Sequence, residues 1–178
     1  MYFPVVPDEI KALAGRLPTP LSISAPRVED NPLIWVNPAF TDMTGYTDDE
    51  LRGKNCRILQ GGDTAQPGLA EIRAALAEGR EGRGLLRNYR KSGEPFENVL
   101  FLFPVPAIDT RPILYLGMQF EVPETGRATA FESFVAAMRD NLAEVNRRRV
   151  KTKAYPLPCT SLDNLTAVDL LRTRLETS

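Results

Sequence analysis

The stretch Gly53-Lys-Asn-Cys-Arg-Ile-Leu-Gln60 contains one of the chain's two cysteines and lies between two local structural signals. Before it, Thr47-Asp-Asp-Glu50 has the residue types of a helix capping box, which predicts one short turn of helix. After it, Gly61-Gly-Asp63 predicts a turn, and Pro67 begins an amphipathic helix that Gly79 ends. We therefore expect Cys56 on a short connecting element.

Strand signals flank this helical middle part on both sides. Leu21–Ala25 alternates like a half-buried strand, and Leu33–Val36 follows it after a turn at Glu29–Pro32. Asn37-Pro38 then predicts a short helix that closes at Gly45. Three longer strands are predicted further along the chain, at Gly82–Arg90, Phe96–Val105 and Pro112–Val122. Two strands, several short helices and three strands predict an α+β domain with an antiparallel sheet over residues 19–122.

Helical segments are predicted at both ends of this domain. Residues 1–18 form an N-terminal helical cap, in which Asp8–Leu17 has apolar positions on one face and Pro18 stops the helix. Residues 123–178 form a C-terminal extension with amphipathic helices at about 129–150 and 160–176. The apolar faces of these helices need a surface to cover them.

The composition excludes several classes of protein. Apolar residues make up 43% of the chain and charged residues 25%, which is a globular balance. The net charge of −1 disfavours nucleic acid as the main partner. The chain has no histidine and two cysteines, so a zinc site and histidine-based catalysis are not expected. Without a signal peptide or an apolar run of about 20 residues, we expect no membrane association and a cytoplasmic location.

The stretch around Cys56 resembles the signature of LOV (light, oxygen or voltage) domains, a photosensory branch of the PAS family. Its usual pattern is Gly-x-Asn-Cys-Arg-Phe-Leu-Gln, from which only Ile58 departs. Further matches occur in the expected order, at Asp30-Asn-Pro32, Asn37-Pro-Ala-Phe40, Thr44-Gly-Tyr46, Ile72-Arg73, Asn88-Tyr-Arg-Lys-Ser-Gly93, Pro95-Phe-x-Asn98 and Tyr115-x-Gly-x-Gln119. The resemblance extends over residues 19–122 and implies a PAS-like five-stranded antiparallel sheet with short helices on one face.

By this resemblance the chain holds a flavin noncovalently. Arg57 and Arg73 are fork-shaped cations suited to a terminal phosphate. The side-chain amides of Asn88 and Asn98, on neighbouring strands, suit the polar edge of the ring. The segment Gln60–Leu69 is short, which favours FMN over the dinucleotide. The implied cofactor-binding residues are Ser24, Asn31, Asn55, Arg57, Leu59, Gln60, Arg73, Asn88, Asn98, Leu100, Gly117 and Gln119.

The resemblance also implies the photochemistry. The sulfur of Cys56 adds reversibly to flavin carbon C4a under blue light, and ring nitrogen N5 becomes protonated. Gln119 then exchanges its amide nitrogen for its oxygen at N5, and the adduct breaks in the dark. This cycle consumes no substrate, so the chain is expected to be a sensor and not an enzyme. Cys159 is interpreted as a linker thiol.

Four positions depart from the family pattern. Ile58 replaces Phe, Glu97 replaces a common Trp, Ser24 replaces a common Thr, and Ser22 replaces a frequent β-branched residue near the cysteine. Smaller or more polar side chains here predict a more open pocket around the sulfur and N5. We expect faster dark recovery through easier access of water, and therefore slower recovery in Ser22→Val.

The output is expected to be an interaction, because no effector module is recognisable in the sequence. A homodimer through the N- and C-terminal helices is predicted, with light altering dimer affinity or helix docking and with an unknown downstream protein partner. Two alternatives remain open. One is a PAS-type flavin redox sensor, which lacks a nicotinamide-binding glycine motif here. The other is a light-regulated DNA-binding module that uses the basic run Arg147–Lys151.

Overall fold

The computed structural model describes residues 5–6, 8–105, 114–122, 136 and 140. The predicted helices of the C-terminal extension lie almost entirely outside the described residues. By contacts the chain divides into two compact units, Met1–Glu121 and Val122–Ser178. The described elements, in chain order, are α1 Asp8–Ala14, β1 Leu21–Ser24, β2 Leu33–Val36, α2 Pro38–Thr44, α3 Asp48–Leu51, a 3₁₀ helix Cys56–Gln60, α4 Gly68–Glu78, β3 Gly82–Tyr89, β4 Pro95–Val105 and β5 Leu114–Glu121.

The five strands form one antiparallel sheet in the order β2-β1-β5-β4-β3. The first strand of the chain thus lies beside the last. Helix α1 precedes β1, and the other helices, α2 to α4 with the 3₁₀ helix, occupy the connection between β2 and β3. This arrangement confirms the predicted fold. Successive side chains on a strand point to opposite faces of a sheet, so the register determines which residues can meet around a site.

Local capping explains where the short helices begin and end. The Asn37 side chain accepts a hydrogen bond from the Phe40 amide at the start of α2, and Gly45 closes that helix in the left-handed conformation, φ +75°. Thr47 and Glu50 form both hydrogen bonds of a capping box. Gly61, with φ +56°, ends the 3₁₀ helix. The sequence had predicted both ends of α2 and the start of α3.

Two predictions about the N-terminal part of the domain were wrong. The first helix ends at Ala14 and not at Leu17, and the Gly15 amide donates to the Lys11 carbonyl, 2.7 Å away. The strand β1 is not half-buried, because Leu21, Ser22 and Ile23 are all buried. Its face opposite Ser22 is covered by a cluster that includes Val6, Ile23 and Trp35.

Helix α4 lies very close to the sheet. A Cβ atom added at Gly84 on β3 would lie 2.8 Å from the Gly68 carbonyl oxygen, and one added at Gly68 would lie 2.3 Å from the Leu85 carbonyl oxygen. Only glycine allows such a close backbone approach. Within the described part of the chain, no helix is long and apolar enough to cross a bilayer.

Candidate functional site

A cavity of about 160 Å³ lies between one face of the sheet, helix α4 and the 3₁₀ helix. Its apolar wall comes from both sides: Leu69, Ile72 and Leu76 project from α4, and Leu86, Leu100 and Leu102 from β3 and β4. An apolar space with a few polar groups is typical of small-molecule sites.

The polar groups of the sheet meet because of strand register. Asn98 lies opposite Leu86 on β3, and Leu100 lies opposite Gln119 on β5. Asn88, two residues after Leu86, therefore faces the same side as Asn98. The Asn98 amide nitrogen donates to Asn88 Oδ1 at 2.8 Å, and Asn98 Oδ1 accepts from the Phe120 amide at 3.2 Å. Both asparagines are buried and line the cavity. The two hydrogen bonds hold their side chains in place there.

Gln119 is buried beside the asparagines, with 1% of its surface exposed. Its Nε2 donates to Ser22 Oγ at 3.0 Å. Its Oε1 is also buried but has no hydrogen-bond partner. A buried amide oxygen without a donor is costly, so this atom marks a place where a ligand donor would be favourable.

Cys56 begins the 3₁₀ helix and lines the cavity opposite the sheet. Asn55 positions this turn, because its Oδ1 accepts from the Arg57 amide at 2.9 Å while its amide nitrogen bonds the Asp30 carbonyl. Cys56 is a free, half-buried cysteine, and loss of solvent around its sulfur raises the pKa of the thiol to about 11. The thiol is therefore protonated at neutral pH.

This raised pKa predicts slow alkylation of Cys56 in the cofactor-free protein. The thiolate is the nucleophile, and a pKa of about 11 in place of 9.0 lowers the thiolate fraction about 100-fold at neutral pH. In a Cys159→Ser background, the rate with iodoacetamide should rise continuously from pH 7 to beyond pH 10. The same protein in denaturant should reach half its maximal rate near pH 9 and level off about one pH unit higher. A folded protein whose rate levels off equally early would contradict the prediction.

Two arginine side chains line the cavity from the helical side. Arg57 and Arg73 both line it and are both exposed. Arg57 forms an ion pair with Asp30 at 2.6 Å, and this hydrogen-bonded pair lowers the pKa of the Asp30 carboxyl. Arg73 donates to the Thr64 carbonyl at 3.1 Å. Two exposed cations thus line the cavity, Arg57 from the 3₁₀ helix and Arg73 from α4.

The structure brings nearly all the predicted site residues to this one cavity. Leu59 is the exception, because it lies in a buried cluster with Leu33, Phe40 and Leu51 and does not line the cavity. The other predicted lining residues are Ser24, Asn31, Asn55, Cys56, Arg57, Gln60, Arg73, Asn88, Asn98, Leu100, Gly117 and Gln119.

Sequence reasoning missed part of the cavity wall. Ser22 lines the cavity, as its expected place near the sulfur implied. The apolar lining residues that were not assigned to the site are Leu33, Leu69, Ile72, Leu76, Leu86 and Leu102. Period-two alternation could have found two of them, since Leu86 lies two residues before Asn88 and Leu102 two after Leu100. The partner of Arg57 was also missed, because Asp30 comes from a distant turn.

Comparison with known proteins identifies the family. Residues 23–124 match the PAS domain model, and the chain belongs to that family. Within it, the chain is a LOV protein: it is 33% identical to the LOV protein of Rhodobacter sphaeroides, with a TM-score of 0.80 over 95% of this chain and 96% of that one. This finding confirms the resemblance seen around Cys56.

Curated relatives from other bacteria include proteins named for blue light. A blue-light-activated histidine kinase of Rhizobium johnstonii is 40% identical over 141 residues, which are 79% of this chain and 40% of that protein. A blue-light photoreceptor of Listeria monocytogenes is 41% identical over 100 residues, which are 56% of this chain and 39% of that protein. The chain thus spans less than half the length of these two relatives.

Proposed function

We propose that this chain is a blue-light photoreceptor that holds FMN noncovalently and uses Cys56 as its photoreactive thiol. One observation carries the proposal: a protonated cysteine, two fixed asparagine amides and a glutamine with an unpartnered oxygen line a single apolar cavity. The proposal agrees with the LOV family and with relatives that are named blue-light photoreceptors or blue-light-activated kinases.

The cavity residues fit a flavin. The leucines and Ile72 offer apolar contact to both faces of a flat ring, and the asparagine amides offer donors and acceptors to its polar edge. The Gln119 oxygen, buried and unpartnered, would gain a partner from a ring nitrogen that carries a proton, and the amide nitrogen would face the same ring atom when it carries none. The bound flavin supplies light absorption and the electrophilic carbon that the thiol attacks.

The protein side of the cycle follows from the fixed positions of these groups. Cys56 brings both a sulfur and its proton, because the pKa of the thiol lies above neutral pH and burial raises it further. The Asn88–Asn98 hydrogen bond fixes which edge of a ring the cavity accepts. Gln119 is the group that responds to a change in ring protonation, since an amide can present a donor or an acceptor.

The arginines favour a phosphate-bearing flavin. Arg57 and Arg73 line the cavity and are both exposed, so they are available to a tail whose terminal phosphate reaches solvent. A phosphate accepts bidentate hydrogen bonds from guanidinium groups. Arg57 then binds phosphate in competition with the Asp30 carboxylate, its present partner.

The absorption spectrum tests this function. Protein saturated with FMN should show a structured flavin band in the blue, lose it under blue light, and regain it in darkness through several cycles. Extraction and chromatography of the flavin bound after expression should yield mainly FMN. A band that does not bleach, combined with stable reduction by NADH, would instead support the redox-sensor alternative.

For the output we propose a light-dependent change in self-association, without enzymatic activity of the chain itself. The N-terminal segment supports this role, because Val6 and Ala14 pack in the cluster on the sheet face opposite the cavity. The adjacent Val5 is 73% exposed. Small-angle scattering in darkness and under blue light should show dimers in at least one state, and monomers in both states would refute the proposal. A Val5→Asp variant should weaken the dimer.

A further inference from the structure

We propose that Ser22 is a positioning residue for Gln119. The Ser22 hydroxyl can form a hydrogen bond with the side-chain amide of Gln119 in either of the two orientations of that amide. The inference rests on the proposed photoreceptor function, because it concerns the residue that responds to the flavin. It differs from the sequence-based expectation, in which Ser22 only opened space near the sulfur. In the structure Ser22 is 5% exposed and its Oγ accepts from Gln119 Nε2 at 3.0 Å.

The sheet register brings the two side chains together. Ser22 on β1 lies directly opposite Gly117 on β5, and Gln119 lies two residues further along the same face of β5. The missing side chain at Gly117 is essential to this contact. A Cβ atom there would lie 2.5 Å from Ser22 Oγ and 2.9 Å from Gln119 Nε2. Gly117 thus keeps free the space in which the hydroxyl and the amide meet.

The hydroxyl suits a switching amide because it both donates and accepts. In the observed orientation it accepts from Nε2, and the Gln119 oxygen has no partner within the described structure. If the amide turns over, the same hydroxyl rotates and donates to Oε1, so the nitrogen is presented to the cavity instead. A valine at position 22 has no group that can bond the amide. In either orientation, the amide atom that points away from the ligand would then be buried without a hydrogen-bond partner. Ser22 therefore lowers the cost of either orientation.

A double-mutant cycle in the cofactor-free protein tests the contact first. Ser22→Ala, Gln119→Leu and the double variant are unfolded in urea, with Ser22→Thr as the variant that keeps a hydroxyl. We expect the unfolding equilibrium constant of the double variant to differ by about fivefold from the value that the effects of Ser22→Ala and Gln119→Leu would give if they were independent. Ser24→Ala is the matched control, because it removes a hydroxyl from the same strand and cavity; its effect should add to that of Gln119→Leu.

Infrared difference spectra then test the switching role in the FMN-loaded protein. With isotope-labelled glutamine, the light-minus-dark band of the Gln119 carbonyl should shift in Ser22→Ala and return to the parent position in Ser22→Thr. Additive unfolding effects together with an unshifted band in Ser22→Ala would overturn the proposal. Failure of the photoreceptor function is distinguishable, because the parent itself would then show no reversible bleaching. If Ser22→Ala fails to fold, Ser22→Cys takes its place in both measurements, because a thiol is a weaker hydrogen-bonding group than a hydroxyl.

Discussion

A Cys56→Ala variant is expected to bind FMN with the parent's affinity and to lose reversible bleaching completely. Among the residues that the structure describes, Cys56 is the free cysteine, and it lines the cavity that the flavin would occupy. Alanine removes the sulfur while leaving the asparagine amides, Gln119 and the arginines unchanged. The flavin should therefore still bind and fluoresce, without a thiol to react with. Absorption before and after a blue pulse measures the loss, and fluorescence titration measures binding.

The second cysteine provides the control for this experiment. Cys159 lies outside the described residues, and the sequence predicts it to be a linker thiol. Cys159→Ser should therefore bleach and recover at rates close to those of the parent. Bleaching that survives in Cys56→Ala but disappears in Cys159→Ser would exchange the two roles and contradict the proposed site.

The strands and the cavity-lining polar residues could be predicted because they depend on local pattern and on motif. Period-two alternation and turn residues located β3, β4 and β5, and the register of an antiparallel sheet then placed Asn88 beside Asn98. Capping chemistry is equally local, so both ends of α2 were predicted from Asn37 and Gly45, and the start of α3 from the Thr47–Glu50 box.

The missed features depend on contacts between distant segments. The burial of both faces of β1 from Leu21 to Ile23 could not be predicted from its alternating pattern, because Val6 covers one face from the N-terminal segment. The Ser22–Gln119 hydrogen bond joins residues 97 positions apart and needs the space left by Gly117. Leu59 fits the family motif, yet its side chain turns into the cluster beneath the 3₁₀ helix. A motif specifies which residue types occur, whereas packing decides where each one points.

Asn37→Ala is expected to lower the free energy of unfolding by about 3–5 kcal/mol, since several buried groups would lose their partners at once. Asn37 is fully buried. Its Oδ1 accepts from the Leu21 amide at 2.8 Å and from the Phe40 amide at 3.0 Å. Its Nδ2 donates to three backbone carbonyls of the preceding segment, those of Ala14, Leu17 and Thr19.

One side chain thus joins the end of α1, the start of β1 and the start of α2, although its sequence context predicted only a helix start. Urea unfolding followed by circular dichroism measures the loss of stability. Asn37→Ser separates capping from the wider network: serine still caps α2 through Phe40 but is too short to reach the other partners, so it should recover only about 1 kcal/mol. Thr41→Ala is the control on α2, since its hydroxyl makes one exposed bond to the Pro38 carbonyl; its stability should stay within about 0.5 kcal/mol of the parent. If Asn37→Ser were as stable as the parent, capping alone would explain the role of Asn37, and the hydrogen bonds to the N-terminal segment would contribute little to holding it against the sheet.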